Sequence, residues 1–109
     1  MEENIYDTNK LIDAYKNKEK LNGYTTIFNV IEFPKALLLD MIVLYPTDDD
    51  FKLSIKLSNE LLKIGKPIPA IDILIASMCI NRNMQLITKD RHFSNIKRIF
   101  GDFNLKIEK

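Results

Sequence analysis

Four acidic residues, Asp7, Glu32, Asp72 and Asp90, are spaced so that a chain of alternating strands and helices brings their carboxylates to one place. Asp7 closes the first strand candidate. Glu32 follows the second by one turn, near the start of its helix, and Asp90 lies two residues past Thr88, where the fourth ends. Asp72 falls in the first turn of the helix that feeds that fourth strand. In an open parallel α/β sheet, ligand sites form outside the carboxyl ends of the strands. Three strand ends and one helix start therefore meet around one notch. Carboxylates gathered there repel one another and hold raised pKa values unless a cation neutralises them. Mg²⁺ and Mn²⁺ suit such an all-oxygen set. Zinc finds no ligand set, because Cys79 is the only thiol and His92 the only imidazole. Carboxylate-bound divalent cations serve in-line phosphoryl displacement. The same rim carries Lys10, Lys16, Lys18, Lys20, Lys89, Arg91, Lys97 and Arg98 as candidate phosphate contacts.

The elements that must position these acids follow from periodicity. Residues 4–7 and 24–27 read as short strands, with a helix over 8–15 between them and a turn at Gly23. A helical pattern covers 28–39, but Pro34 lies inside it, so the helix starts near Phe33 or kinks there. Residues 41–45 form a third strand. The clearest helix is 48–64, with Leu53, Leu57, Leu61 and Ile64 on one face, Gly65 at its end, and Asp48–Asp50 as a solvated acidic start. After Pro67 and Pro69, the residues Ile71, Leu74, Ile75, Met78 and Cys79 mark another helix. Strands at 85–88 and 105–107 complete an α/β fold: one domain, a three-layer α/β/α sandwich around a mostly parallel sheet.

Composition narrows the class. A chain of 109 residues supports one core, and 46% hydrophobic with 28% charged residues is ordinary for a globular protein. A net charge of +1 gives no global attraction for a polyanion, so nucleic-acid binding would rest on local patches or a bound metal. The lone Cys79, in an apolar run, reads as a core residue and suits a reducing compartment. The acidic, polar start lacks the pattern of a secretion signal, and the apolar run at 36–45 is too short to span a bilayer. These features lead us to expect a cytoplasmic protein away from membranes.

Four segments resemble a known family. Tyr6-Asp7-Thr8-Asn9, then Tyr24-Thr25-Thr26 leading to Glu32, then Gly65 through Asp72 to Ala76, then Leu86-Ile87-Thr88-Lys89-Asp90-Arg91-His92-Phe93 are similar to the successive motifs of PIN domains, above all the toxin subunits called VapC. The resemblance runs over residues 5–107. It implies a compact α/β/α fold and a Mg²⁺- or Mn²⁺-dependent endoribonuclease that hydrolyses RNA. Asp7, Glu32, Asp72 and Asp90 match the family's metal-binding acids, and Thr88 with Thr8 or Asn9 match polar positions that orient them. Lys10, Lys89 and Arg91 are the rim cations best placed for RNA. The resemblance also implies a homodimer and a small antitoxin that inserts a segment into the site. Two departures stand out. Only about nine residues separate Glu32 from the third strand, where the family carries a longer helical excursion, and His92 stands where many members have another acid.

Structural alternatives exist for each residue. Asp7-Thr8-Asn9 and Asp72 are also good helix starts, Lys16 to Lys20 is also a solvated stretch, and His92 is also a surface group. Glu32, among Val30, Ile31 and Phe33, is hardest to explain as a solvated charge. A Mg²⁺-dependent phosphatase of the haloacid-dehalogenase type needs a second acid two residues after its nucleophile, and that position is Asn9. The three glycines build neither a P-loop nor a dinucleotide fingerprint. The remaining rival is a non-catalytic PIN fold that binds RNA or assembles with protein.

Overall fold

A computed structural model describes residues 3–109. Five strands, β1 (Asn4–Tyr6), β2 (Tyr24–Thr26), β3 (Ile42–Leu44), β4 (Gln85–Thr88) and β5 (Leu105–Ile107), form one sheet in the order β3-β2-β1-β4-β5. Every neighbouring pair is parallel. Helical crossovers make that possible: α1 (Thr8–Asn17), α2 (Ile27–Glu32) with a 3-10 turn at Pro34–Leu39, then α3 (Asp48–Lys63) and α4 (Ala70–Arg82). A short turn at Arg91–Phe93 and α5 (Ser94–Ile99) lead into β5. The chain leaves β1 toward β2 and β3, then returns to lay β4 against the other side of β1. The β1–β4 boundary is therefore where the winding direction reverses, and where a doubly wound sheet opens its binding crevice.

Both faces of the sheet are covered, as an all-parallel sheet requires. On one side Ile5 and Leu86 pack with Leu57 and Leu61 of α3, Ile75 and Cys79 of α4, and Ile96 of α5, with Phe93 and Phe103 fully buried among them. On the other, Leu11, Val30 and Ala36 are joined by Tyr6, Phe33 and Val43. Successive residues Ile5 and Tyr6 thus serve opposite cores, as the strand period of two demands. Cys79 is fully buried as expected, and its burial pushes the thiol far above its ordinary range. Gly23 at the start of β2 has φ of +149°, and a Cβ there would press the Asn4 carbonyl oxygen at 2.9 Å and the Tyr6 ring at 3.2 Å. Among the described residues, no helix is long and apolar enough to cross a membrane.

Two expectations need correction, and one helix was not foreseen. Helix α2 stops at Glu32, because the residue before a proline avoids the α region; Phe33 instead takes φ −140° and ψ 81°, and the chain resumes as a 3-10 turn. Glu32 is thus at the end of its helix rather than its start, and it is exposed together with its neighbour Ile31, so the apolar residues beside it in sequence do not keep it from solvent. Secondly, Asp50 is not solvated but fully buried and paired with Arg82. Helix α5 escaped the sequence pattern, because its six residues give too little periodicity between the charged residues around it.

Candidate active site

Asp7 is the centre of the polar end of the sheet. It follows β1 in extended conformation and caps α1: the Thr8 N–H donates to its Oδ1 at 2.9 Å. The Asn29 Nδ2 donates to the same oxygen at 2.9 Å, and the Thr88 hydroxyl donates to Oδ2 at 2.6 Å. Asp7 is only 7% exposed, yet none of these donors carries a charge. Thr88, the last residue of β4, also receives the Asp90 N–H at 3.0 Å and the Asn9 Nδ2 at 3.4 Å, while Asn9 Oδ1 accepts the Lys89 N–H at 3.2 Å. Asn9 and Thr88 therefore bridge the β1–β4 boundary, and of the two only Thr88 bonds the Asp7 carboxylate directly.

Glu32 and Asp72 share a cleft of about 410 Å³ with Phe28, Ile31, Pro69 and Ile71. Partial burial, and then repulsion from Asp7 and Asp72, raise the Glu32 carboxyl above the usual range; the Thr8 hydroxyl, 3.4 Å away, opposes this weakly. Asp72 is raised too. Its burial is the largest cause, and repulsion from Asp7 and Asp90 adds to it, against the pull of His92. The topology thus brings Asp7, Glu32 and Asp72 within electrostatic reach of one another, and Asp90 within reach of Asp72.

His92 joins two of these acids. Its Nε2 lies 2.9 Å from Asp72 Oδ2, and its Nδ1 lies 2.9 Å from Asp90 Oδ1. Both contacts are satisfied together by the imidazolium form, which donates from both nitrogens. The ring stacks at a tilt on Phe93, with centroids 4.9 Å apart.

As a metal site this donor set has the right chemistry: four carboxylates, at least two of which are destabilised as anions. It is not a closed cage, since among the described residues no three acidic, His or Cys side chains converge closely enough to grip an ion. Asp72 and Asp90 turn oxygens toward His92 instead.

Of the rim cations, Lys10 pairs with Glu108, Lys89 with Asp13, and Lys97 donates to the Gly101 and Phe103 carbonyls, while Arg91 and Arg98 are exposed. Two participants were not singled out from sequence. Asn29 is fully buried against Asp7; its signal was the Thr26-x-x-Asn29 spacing of a capping box. Glu108, beyond the last strand, reaches Lys10 only because β5 lies beside β4.

No family model and no curated protein matches the sequence. Solved structures do match. DNA-bound VapBC from Salmonella typhimurium superposes with a TM-score of 0.76 at 19% identity, over 99% of this chain and 98% of that chain. VapBC2 from Rickettsia felis, bound to a promoter DNA fragment, gives 0.74 at 19%, over 95% and 97%. VapBC-5 from Mycobacterium tuberculosis, a member of the VapBC family of toxin-antitoxin systems, gives 0.73 at 20%, over 100% and 99%. The fold is therefore the PIN-like α/β/α sandwich, and the likeness spans nearly all of this chain and of those chains.

Proposed function

We propose that this chain is a Mg²⁺- or Mn²⁺-dependent endoribonuclease and the toxin of a toxin–antitoxin pair. The observation that carries the reading is Asp7: a nearly buried carboxylate at the reversal point of the sheet, held by neutral donors alone and facing two further acids. Asp7, Glu32, Asp72 and Asp90 would hold the cation. When bound, it would activate water and neutralise charge developing on the phosphate. The chain's own residues do the rest. Asn9 and Thr88 fix the Asp7 carboxylate across the β1–β4 boundary, and Thr8 orients Glu32. Arg91, with Lys10 and Lys89 on release from Glu108 and Asp13, supplies charge for the RNA backbone.

The VapBC likenesses support an antitoxin as the partner. The apolar cleft of Phe28, Ile31, Pro69 and Ile71 beside Glu32 and Asp72 suits a segment that pairs apolar side chains with a cation. A second copy of the chain would cover Phe51, Ile55 and Leu62, an exposed stripe along α3. The buried lone thiol fits action in the cytoplasm.

One observation favours a second reading, a non-catalytic RNA-binding or assembly module: the bridge of His92 to Asp72 and Asp90 in place of a ready-made cage. A phosphatase gains no such support, since Asn9 is spent on Thr88 and Lys89. Incubation with a structured RNA decides between the first two. Cleavage should require Mg²⁺ or Mn²⁺, stop with EDTA, and leave 3′-hydroxyl and 5′-phosphate ends. Binding without cleavage at any Mn²⁺ concentration establishes the module; cleavage in EDTA, or a 2′,3′-cyclic phosphate end, removes the metal mechanism.

A further inference from the structure

We propose that Asn29 is a positioning residue that aims the Asp7 carboxylate and locks it to the helix carrying Glu32; the inference rests on the metal-site reading above. Asn29 is fully buried, and both ends of its amide are used. Its Oδ1 accepts from the Thr26 hydroxyl at 2.6 Å and the Thr26 N–H at 3.4 Å, closing the capping box that starts α2. Its Nδ2 donates to Asp7 Oδ1 at 2.9 Å and to the Thr8 hydroxyl oxygen at 3.0 Å. Reversing the amide would set its oxygen against the Asp7 carboxylate and its NH₂ against the Thr26 N–H, so the surroundings fix one orientation.

The chemistry at this position is more specific than capping requires. A capping box is completed by any side-chain acceptor at the third helical position. Only a side chain that accepts at one end and donates at the other also reaches Asp7. Aspartate, the same shape, would place a second anion 2.9 Å from the first. Threonine or serine would cap but stop short. Asn29 belongs to the helix that bears Glu32, and its side chain reaches Asp7 at the end of its strand. Through Thr8, whose hydroxyl lies 3.4 Å from Glu32 Oε1, the amide ties two of the proposed ligands to one rigid point. Outer partners of this kind set ligand orientation, and their loss typically weakens metal binding about 10- to 100-fold.

The test separates positioning from capping. Mn²⁺ affinity is measured by electron paramagnetic resonance on the wild type, Asp7→Asn, Asn29→Ala and Thr26→Ala, alongside urea melts in EDTA. Thr26→Ala opens the capping box but leaves the Asn29–Asp7 bond in place. We expect Asn29→Ala to bind Mn²⁺ about 10- to 100-fold more weakly than the wild type, and Thr26→Ala to stay within about threefold although both variants lose stability. Equal Mn²⁺ affinity in Asn29→Ala and Thr26→Ala, with Asp7→Asn clearly weakened, overturns the role of Asn29 alone. Wild-type affinity in Asp7→Asn overturns the metal-site reading itself, and this inference with it. Should Asn29→Ala fail to fold, Asn29→Ser, which retains a cap acceptor but is too short for Asp7, gives the same comparison.

Discussion

Two buried aspartates begin helices in this protein, and they are compensated in opposite ways. Asp50 sits in the first turn of α3 with its side chain wholly out of solvent. Its Oδ2 accepts from the Thr47 N–H at 2.7 Å and lies 3.0 Å from an Arg82 nitrogen, while Oδ1 takes the Asn81 Nδ2 at 2.8 Å and the other Arg82 nitrogen at 3.0 Å. Arg82 in turn donates to the Met78 and Tyr45 carbonyls, so charge and hydrogen bonds close within the chain. Asp7 caps α1 with as good a set of hydrogen bonds but no cation, and its charged neighbours are acids. Burial pushes the Asp50 carboxyl up, but Arg82, Thr47 and Asn81 outweigh it and hold the group below its ordinary value. Glu32 and Asp72, beside Asp7, go the other way. A buried carboxylate with its own counter-ion is a structural part; one hydrogen-bonded but left without a counter-ion is a candidate functional group.

The largest effect that distinguishes the two regions is on activity. Asp7→Asn and Asp72→Asn should each lower RNA cleavage by at least about a hundredfold, the scale of losing one group that stabilises transition-state charge. Asp90→Asn should be milder, because Asp90 reaches Asp72 through His92 and is nearly half exposed. Any loss in Asp50→Ala should track its unfolded fraction and disappear under conditions where the variant is folded. Single-turnover rates on folded protein check this, and a fully active Asp72→Asn defeats the site assignment.

Stability reverses the ranking. Asp50→Ala leaves the Arg82 guanidinium largely buried without its partner and opens the start of α3. Breaking a buried pair from one side costs about 3–5 kcal/mol, and the partial exposure of Arg82 places this case near the lower figure. Urea melts measure it. A loss below about 1 kcal/mol, the worth of an exposed pair, would erase the contrast on which the comparison stands.

Much of this was legible in the sequence. Asp7 and Asp90 betrayed their positions because strands β1 and β4 end beside them, and α4 was visible because Ile71, Leu74, Ile75, Met78 and Cys79 recur at helical spacing. The partners were not. Asp50 looked like one more acid in a solvated run, since Arg82 is distant in sequence and only the packing of α4 on α3 brings it near. The His92 bridge depends on where the Arg91–Phe93 turn aims a side chain, which no periodicity encodes. Asn29 carried a local signal in its capping-box spacing, but its contact with Asp7 follows from the pairing of β1 with β2.

The pH dependence of the metal-free protein should separate the regions with opposite signs. Glu32 and Asp72 have folded pKa values raised above their ordinary 4.5 and 3.8, so the folded state holds their protons more tightly than the unfolded state does. Their repulsion is relieved, and stability gained, as pH falls from 7 through that range. Asp50 lies below its ordinary 3.8, so it contributes stability above that value and loses it as pH falls through the lowered one. Melts in EDTA should therefore rise on mild acidification and fall below it. Glu32→Gln with Asp72→Asn should flatten the rise, and Asp50→Asn the fall. A rise of equal size in the presence of saturating Mg²⁺ would mean the cation does not act on these carboxylates.

The smallest effect is the most diagnostic. Asp7→Asn keeps the shape of the cap, and asparagine caps a helix about as well as aspartate. Its oxygen can still accept from the Thr8 N–H and Asn29, while its NH₂ faces Thr88 in place of Oδ2. The variant loses charge assistance in those bonds but also removes the repulsion felt by Glu32 and Asp72. These changes oppose one another, so in EDTA near neutral pH its stability should lie within about 1 kcal/mol of the wild type. Mg²⁺ should then divide the two proteins, because a ligand stabilises the folded state in proportion to its binding, and the variant has lost a charged ligand. Asp50 offers the control: Asp50→Asn should be less stable than the wild type with EDTA and with Mg²⁺, and its Mg²⁺ response should match the wild type's. Thermal melts of the three proteins with and without Mg²⁺ decide the matter. An equal Mg²⁺ response in Asp7→Asn and the wild type would make Asp7 a second Asp50, a cap that happens to be buried.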